Sequence, residues 1–82
     1  MPARFVIGSS LKMYFGKAAT ERWTRDVAAL CRVHEAVASG VVEPFVIPTF
    51  PSIPAVVDIA VPAGMTVGAQ DVHWEPSGAF TG

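Results

Sequence analysis

One cysteine, Cys31, stands in the whole chain, which excludes an internal disulfide. No apolar run approaches the ~18 residues of a membrane span or forms the hydrophobic region of a secretory signal. Charge of either sign is scarce: six Lys and Arg against seven Asp and Glu leave a formal net charge of −1. The basic residues are scattered, so there is no field to hold nucleic acid or an anionic membrane. Neither partner is expected, and the cytoplasm is the default setting. No Cys, His and carboxylate spacing makes a metal site. What is abundant is apolar surface: 51% apolar against 16% charged is the composition of a packed domain, not of a disordered one.

The pattern alternates strand and helix. Phe5-Val6-Ile7, ending in Gly and Ser, reads as a buried strand over 4–8. The stretch 20–38 puts Trp23, Val27, Leu30, Cys31 and His34 on one helical stripe, the sign of a helix lying on a sheet. Thr20 suits its N-cap, Glu21 can pair with Arg25 at i,i+4, and Ser39-Gly40 supplies a stop. A second strand follows at 45–47. Ser52 and Pro54 open a second helix, ended by Pro62-Ala63-Gly64. The third strand is 66–69, apolar with little alternation, as a parallel strand covered on both faces would be. The fold class is therefore α/β in the order β-α-β-α-β. Right-handed crossovers would lay three parallel strands side by side, all ending at one edge.

Lys12 lies just past the first strand, in GSSLKMYFG. A cation where such a strand ends sits at the edge where α/β enzymes carry their chemistry, and it suggests anion recognition. The Thr49 region and Gln70-Asp71 would share that rim.

GSSLKM near the start, with GAQ and then GAFTG near the end, resemble the triosephosphate isomerase family. The resemblance spans essentially all 82 residues. It implies a (β/α)8 barrel, and since such barrels need roughly 250 residues, residues 1–82 would be about its first third. Val6, Val46 and Val67, or their neighbours, would face the barrel interior. It also implies a cofactor-free isomerase of small phosphorylated sugars, with Lys12 the catalytic cation and Ser10 and Lys12 the substrate contacts. The glutamate base, the neutral histidine electrophile and the closing loop of that chemistry would all follow Gly82. The third loop would dock on a second subunit as a homodimer, through Gln70, Asp71, Trp74, Gly78, Phe80 and Thr81, with Thr81 reaching toward the partner's Ser10 position.

Two departures from the family pattern bear on substrate. Ser10-Leu11 stands where Asn-Trp is usual, and Tyr14 where Asn is usual; a hydroxyl donates one hydrogen bond where an amide donates two. Gln70-Asp71-Val72-His73-Trp74 is closer to the branch that isomerises four-carbon ketose phosphates such as erythrulose phosphate. Among residues that could tempt a catalytic reading, His73 is better read as packing and His34 as a boundary residue or dipole partner. Cys31 reads as a small buried hydrophobe. Asp71 and Glu75 could do acid–base work, although a loop cap or an interface pair is simpler. Besides the isomerase, two other readings stay open: a non-catalytic remnant that binds a partner through its third loop, and an unrelated small α/β binding domain.

Overall fold

The computed structural model describes residues 2–82. Three parallel strands form one sheet in the order β1-β2-β3, with β1 at Phe5–Ser10, β2 at Val42–Ile47 and β3 at Thr66–Val67. The helices α1 (Lys17–Val33), α2 (Glu35–Ala38) and α3 (Ile53–Ala60) complete the β-α-β-α-β order. This is the arrangement of the first part of a (β/α)8 barrel, with the sheet left open.

The core lies between the sheet and the helices. Val46, Val56 and Ala60 are fully buried and pack in one cluster with Leu11, Ala28, Ala63 and Met65. Along β2, Pro44 and Val46 are buried while Glu43, Phe45 and Ile47 are only partly so. Strand side chains alternate, so Val46 points at the helices. Val67, its register partner on β3, packs against the same cluster. The expectation that Val46 and Val67 face the barrel interior is thus corrected, and Val6 with its neighbours Gly8 and Ser10 falls on that opposite face. Gly8 pairs with Phe45 in register, and a Cβ on it would collide with the Phe45 carbonyl and ring. Only glycine fits under that aromatic ring.

Several boundaries move from their expected places. The first strand runs on to Ser10 because its partner β2 stays paired as far as Ile47. The third stops at Val67, two residues short of expectation. Helix α1 begins at Lys17, with Gly16 as N-cap, and the Thr20 amide already donates to the Gly16 carbonyl at 2.9 Å. Thr20 is therefore inside the helix and buried, on the stripe Thr20, Thr24, Ala28. The Thr24 hydroxyl survives burial by donating to the Thr20 carbonyl at 2.7 Å. Glu21 and Arg25 do pair, at 3.4 Å.

The 20–38 helix is broken at His34, which turns to extended backbone. Its Nδ1 accepts from the Ala36 amide at 3.3 Å and caps α2, so His34 is the boundary residue expected of it. Leu30 and His34 are exposed; of the expected stripe, Trp23, Val27 and Cys31 are the members packed against the core. Ser39 ends α2 and Gly40 takes a positive φ after it. Ser52 holds the N-cap position of α3 without a side-chain cap bond, because a 3-10 turn at Phe50–Ser52 leads into the helix and sets it in helical backbone. Gly64, at φ 89°, closes the turn before β3, where a left-handed residue is required.

Candidate functional site at the carboxyl ends of the strands

Parallel strands bring their carboxyl ends to one edge, and three chain segments meet there. The Leu11 amide donates to the Ile47 carbonyl at 3.0 Å, which carries the pairing of β1 with β2 one residue past the strand. Leu11 itself is buried in the core, so the loop is anchored on both sides of its turn. The next residue, Lys12, turns outward with φ 53°, the one positive φ at a non-glycine residue among those described. Its amide donates to Ser10 Oγ at 3.4 Å, a long bond. Lys12 is exposed and makes no ion pair with the described residues.

From the end of β3, Gln70 reaches back across the rim. Its Nε2 donates to the Lys12 carbonyl at 2.8 Å and lies 3.3 Å from the Ile47 carbonyl oxygen. Ser10, Lys12 and Gln70 therefore form one connected group at the strand ends. A hollow of about 760 Å³ opens beside them, lined by Met13, Thr49, Phe50, Gln70, Asp71 and Thr81 among others. The rim expected from the sequence thus exists. An exposed ammonium at the strand ends, with the Ser10 hydroxyl close to its backbone, is equipped to bind a small anion.

The remaining expected site residues lie in the loop 68–82, and none makes a hydrogen bond or ion pair with Lys12 among the described residues. Asp71 Oδ1 accepts from the next amide, Val72, at 2.9 Å, so it serves as a local turn cap. His73 stacks between Trp74 and Phe80, with ring centroids 4.2 and 4.0 Å away. Its Nε2 is buried without a hydrogen-bond partner. His73 is thus packing, as expected of it. Trp74 and Phe80 expose much of their area to solvent, and Gly78 takes φ 135° close under the Phe80 ring. Thr81 returns to the base of the loop and lines the hollow next to Gln70. Burial pushes the Cys31 thiol above its ordinary pKa. No group of three His, Cys, Asp or Glu among the described residues could hold a metal ion.

Sequence reasoning placed Gln70 in a subunit interface and missed its bond to the Lys12 backbone. No sequence signal distinguishes a glutamine that faces a partner from one that folds back on a carbonyl. The positive φ of Lys12 was equally hidden, because lysine gives no hint of left-handed backbone.

Residues 5–82 match the family described as triosephosphate isomerase. Among curated proteins, the chain is 38% identical over 79 residues to an L-erythrulose-1-phosphate isomerase of Pectobacterium atrosepticum, covering 96% of this chain and 30% of that protein. It is 33% identical over 81 residues to an L-erythrulose-1-phosphate isomerase of Mycolicibacterium smegmatis, covering 98% and 30%. A triosephosphate isomerase of Moorella thermoacetica is 37% identical over 79 residues, covering 96% and 29%. No solved structure gives a significant match. The chain thus spans about 30% of the length of the relatives it matches. With the family profile matched from Phe5 to Gly82, and with the parallel strands, the Lys12 rim and the third loop in place, the chain belongs to the triosephosphate isomerase family.

Proposed function

We propose that this chain provides the first-strand lysine of a sugar-phosphate isomerase that interconverts an aldose and a ketose phosphate by proton transfer through an enediolate. The observation that carries the reading is Lys12, exposed at the joined carboxyl ends of β1 and β2, with its carbonyl held by Gln70, which lines the hollow. In this reaction negative charge develops on the substrate oxygen as the proton leaves carbon. An ammonium fixed beside that oxygen, in a site from which water is excluded, lowers the barrier far more than it would in water. The same charge draws in the phosphate. Ser10 contributes a hydroxyl at the foot of Lys12, and the base and electrophile come from elsewhere in a complete barrel. By itself the 82-residue chain is proposed to show no turnover, binding being the most it could do, because it holds no group placed to move the proton.

The substrate pair is that of triosephosphate isomerases, glyceraldehyde 3-phosphate and dihydroxyacetone phosphate, or the four-carbon erythrulose phosphate. Several relatives bear the name L-erythrulose-1-phosphate isomerase, and Ser10-Leu11 with Asp71-Val72-His73-Trp74 points the same way. Both reactions are the same 1,2 proton shift. A coupled assay of the full-length protein with triose and tetrulose phosphates should show turnover of one pair by at least tenfold over the other. A folded protein that turns over neither would end the isomerase reading. The third loop, through Gln70, Asp71, Trp74, Gly78, Phe80 and Thr81, is proposed to dock on a second subunit in a two-fold dimer.

A further inference from the structure

A lysine at φ 53° does not stay there unaided, since a Cβ in left-handed backbone crowds the neighbouring carbonyl. Two side chains contact this residue's backbone. Ser10 Oγ takes the Lys12 amide at 3.4 Å, close to the limit of a hydrogen bond. Gln70 Nε2 donates to the Lys12 carbonyl at 2.8 Å, a well-formed bond that spans 58 positions of sequence. An amide nitrogen carries two hydrogens, and the second is within 3.3 Å of the Ile47 carbonyl. That carbonyl also accepts from the Leu11 amide at 3.0 Å. One side-chain amide thus ties the segment three residues past β3 to the turn after β1 and to the last residue of β2.

We infer that Gln70 is the positioning residue for Lys12. Its paired donors fix the backbone from which the ammonium reaches the substrate, and this rests on the isomerase reading. Both bonds face solvent, so their weight lies in geometry more than in energy. Geometry is what an ammonium on a four-carbon stem needs: displacing a charge by ~1 Å from its oxygen can cost on the order of 10²-fold in rate. With its amide hydrogens committed within the chain, Gln70 has only Oε1 left to offer a partner subunit. Its place at the start of the third loop also means that whatever orders this loop bears directly on Lys12.

The test uses the full-length protein and Gln70→Met, which keeps the length of the side chain and removes both donors. Gln70→Glu, equal in size with acceptors facing the two carbonyls, is made beside it in case the methionine variant folds poorly. The expected result is a fall in kcat/KM of roughly 10²-fold in which KM rises and inhibition by inorganic phosphate weakens. In a Lys12→Met background, either substitution should then cost less than about threefold, because the charge to be positioned is already gone. NMR should show loss of the strong intraresidue amide–Hα contact that reports positive φ at Lys12. An equal loss in the Lys12→Met background would mean a merely structural role and overturn the inference. So would wild-type kinetics in Gln70→Glu. If the wild-type protein turns over neither sugar phosphate, the isomerase reading fails separately, and persistence of positive φ at Lys12 in both variants overturns the positioning role by itself.

Discussion

Lys12 combines a functional charge with an unfavourable backbone, and the two can be separated by substitution. Left-handed backbone costs a side chain about 1–2 kcal/mol, whereas glycine loses about 0.5–1 kcal/mol in extra chain entropy. The strain term is the larger, so Lys12→Gly should unfold at a higher denaturant midpoint than Lys12→Met in the full-length protein. A lower midpoint would mean that φ 53° is not strained here. Both variants should keep less than about a tenth of wild-type kcat/KM, a loss of more than ~1.4 kcal/mol in transition-state stabilisation. Lys12→Arg should rescue poorly, because a planar fork cannot place a compact charge on one oxygen. Steady-state kinetics decides: a methionine variant above that threshold removes Lys12 from the chemistry. At Gly8 the argument is steric. The obstacle to a Cβ includes the Phe45 carbonyl, which cannot rotate away as a side chain could. Gly8→Ala should therefore destabilise by about 1–3 kcal/mol in chemical unfolding, and a neutral result would show that β1 and β2 can part without cost. The lysine was legible in the sequence because the motif marks it. Its backbone angle and the glutamine that holds it were not, because both depend on contacts across 58 positions.

At the scale of elements, periodicity located both strand-helix-strand units and missed their ends for identifiable reasons. Threonine is a good N-cap, yet Thr20 is one turn inside α1, buried on one stripe with Thr24 and Ala28. Gly16 caps by backbone alone and leaves little trace. His34 was recognisable as a boundary residue, but not as the cap that starts a new helix through Nδ1. In the third loop, the sequence marked Trp74 and Phe80 as equivalent apolar anchors, whereas the structure gives them different duties. Both stack on His73, Phe80 at 4.0 Å and nearly parallel, Trp74 at 4.2 Å and inclined by 26°, but Trp74 is 85% exposed against 55% for Phe80. The two positions should respond differently if the loop docks on a second subunit. Phe80→Asp would break both the stack and the interface, so it reports on either. Trp74→Asp loses the Trp74–His73 stack but keeps the His73–Phe80 one, and it should convert a dimer to monomer while leaving the far-UV spectrum unchanged. Size-exclusion chromatography with light scattering reads the outcome, and a Trp74→Asp protein that remains dimeric would take Trp74 out of the docking surface.

For the whole molecule, the decisive quantity is the apolar surface left open. The chain exposes 5883 Å², whereas a compact monomer of its 8.7 kDa should expose about 4,700 Å². On β1, Phe5, Val6 and Ile7 are each more than half exposed. Parallel strands are ordinarily covered on both faces, and here neither face of β1 is. On the helix side, an apolar gap of about 450 Å³ lies between Ile7, Trp23, Val27, Leu30 and Pro44. On the other face, Val6 has no opposing wall. The free edges of β1 and β3 add unpaired N–H and C=O groups that invite association with another chain. A small core of mostly Val, Ala and Met side chains must offset an ordering cost of roughly 1–2 kcal/mol per residue. The isolated 82-residue chain should therefore be molten or aggregated, with helical far-UV dichroism and dye binding that reports exposed apolar surface. The near-UV signal of Trp23 is the sharper gauge, since Trp74 is exposed even in the folded arrangement and would contribute little. Supplying the rest of a barrel should restore that signal, because covering β1 buries the face on which Trp23 leans. If instead the isolated chain is a monodisperse monomer with a sharp, reversible thermal transition, its open surface is tolerated. The reading of the chain as an independent interaction module would then be the stronger one.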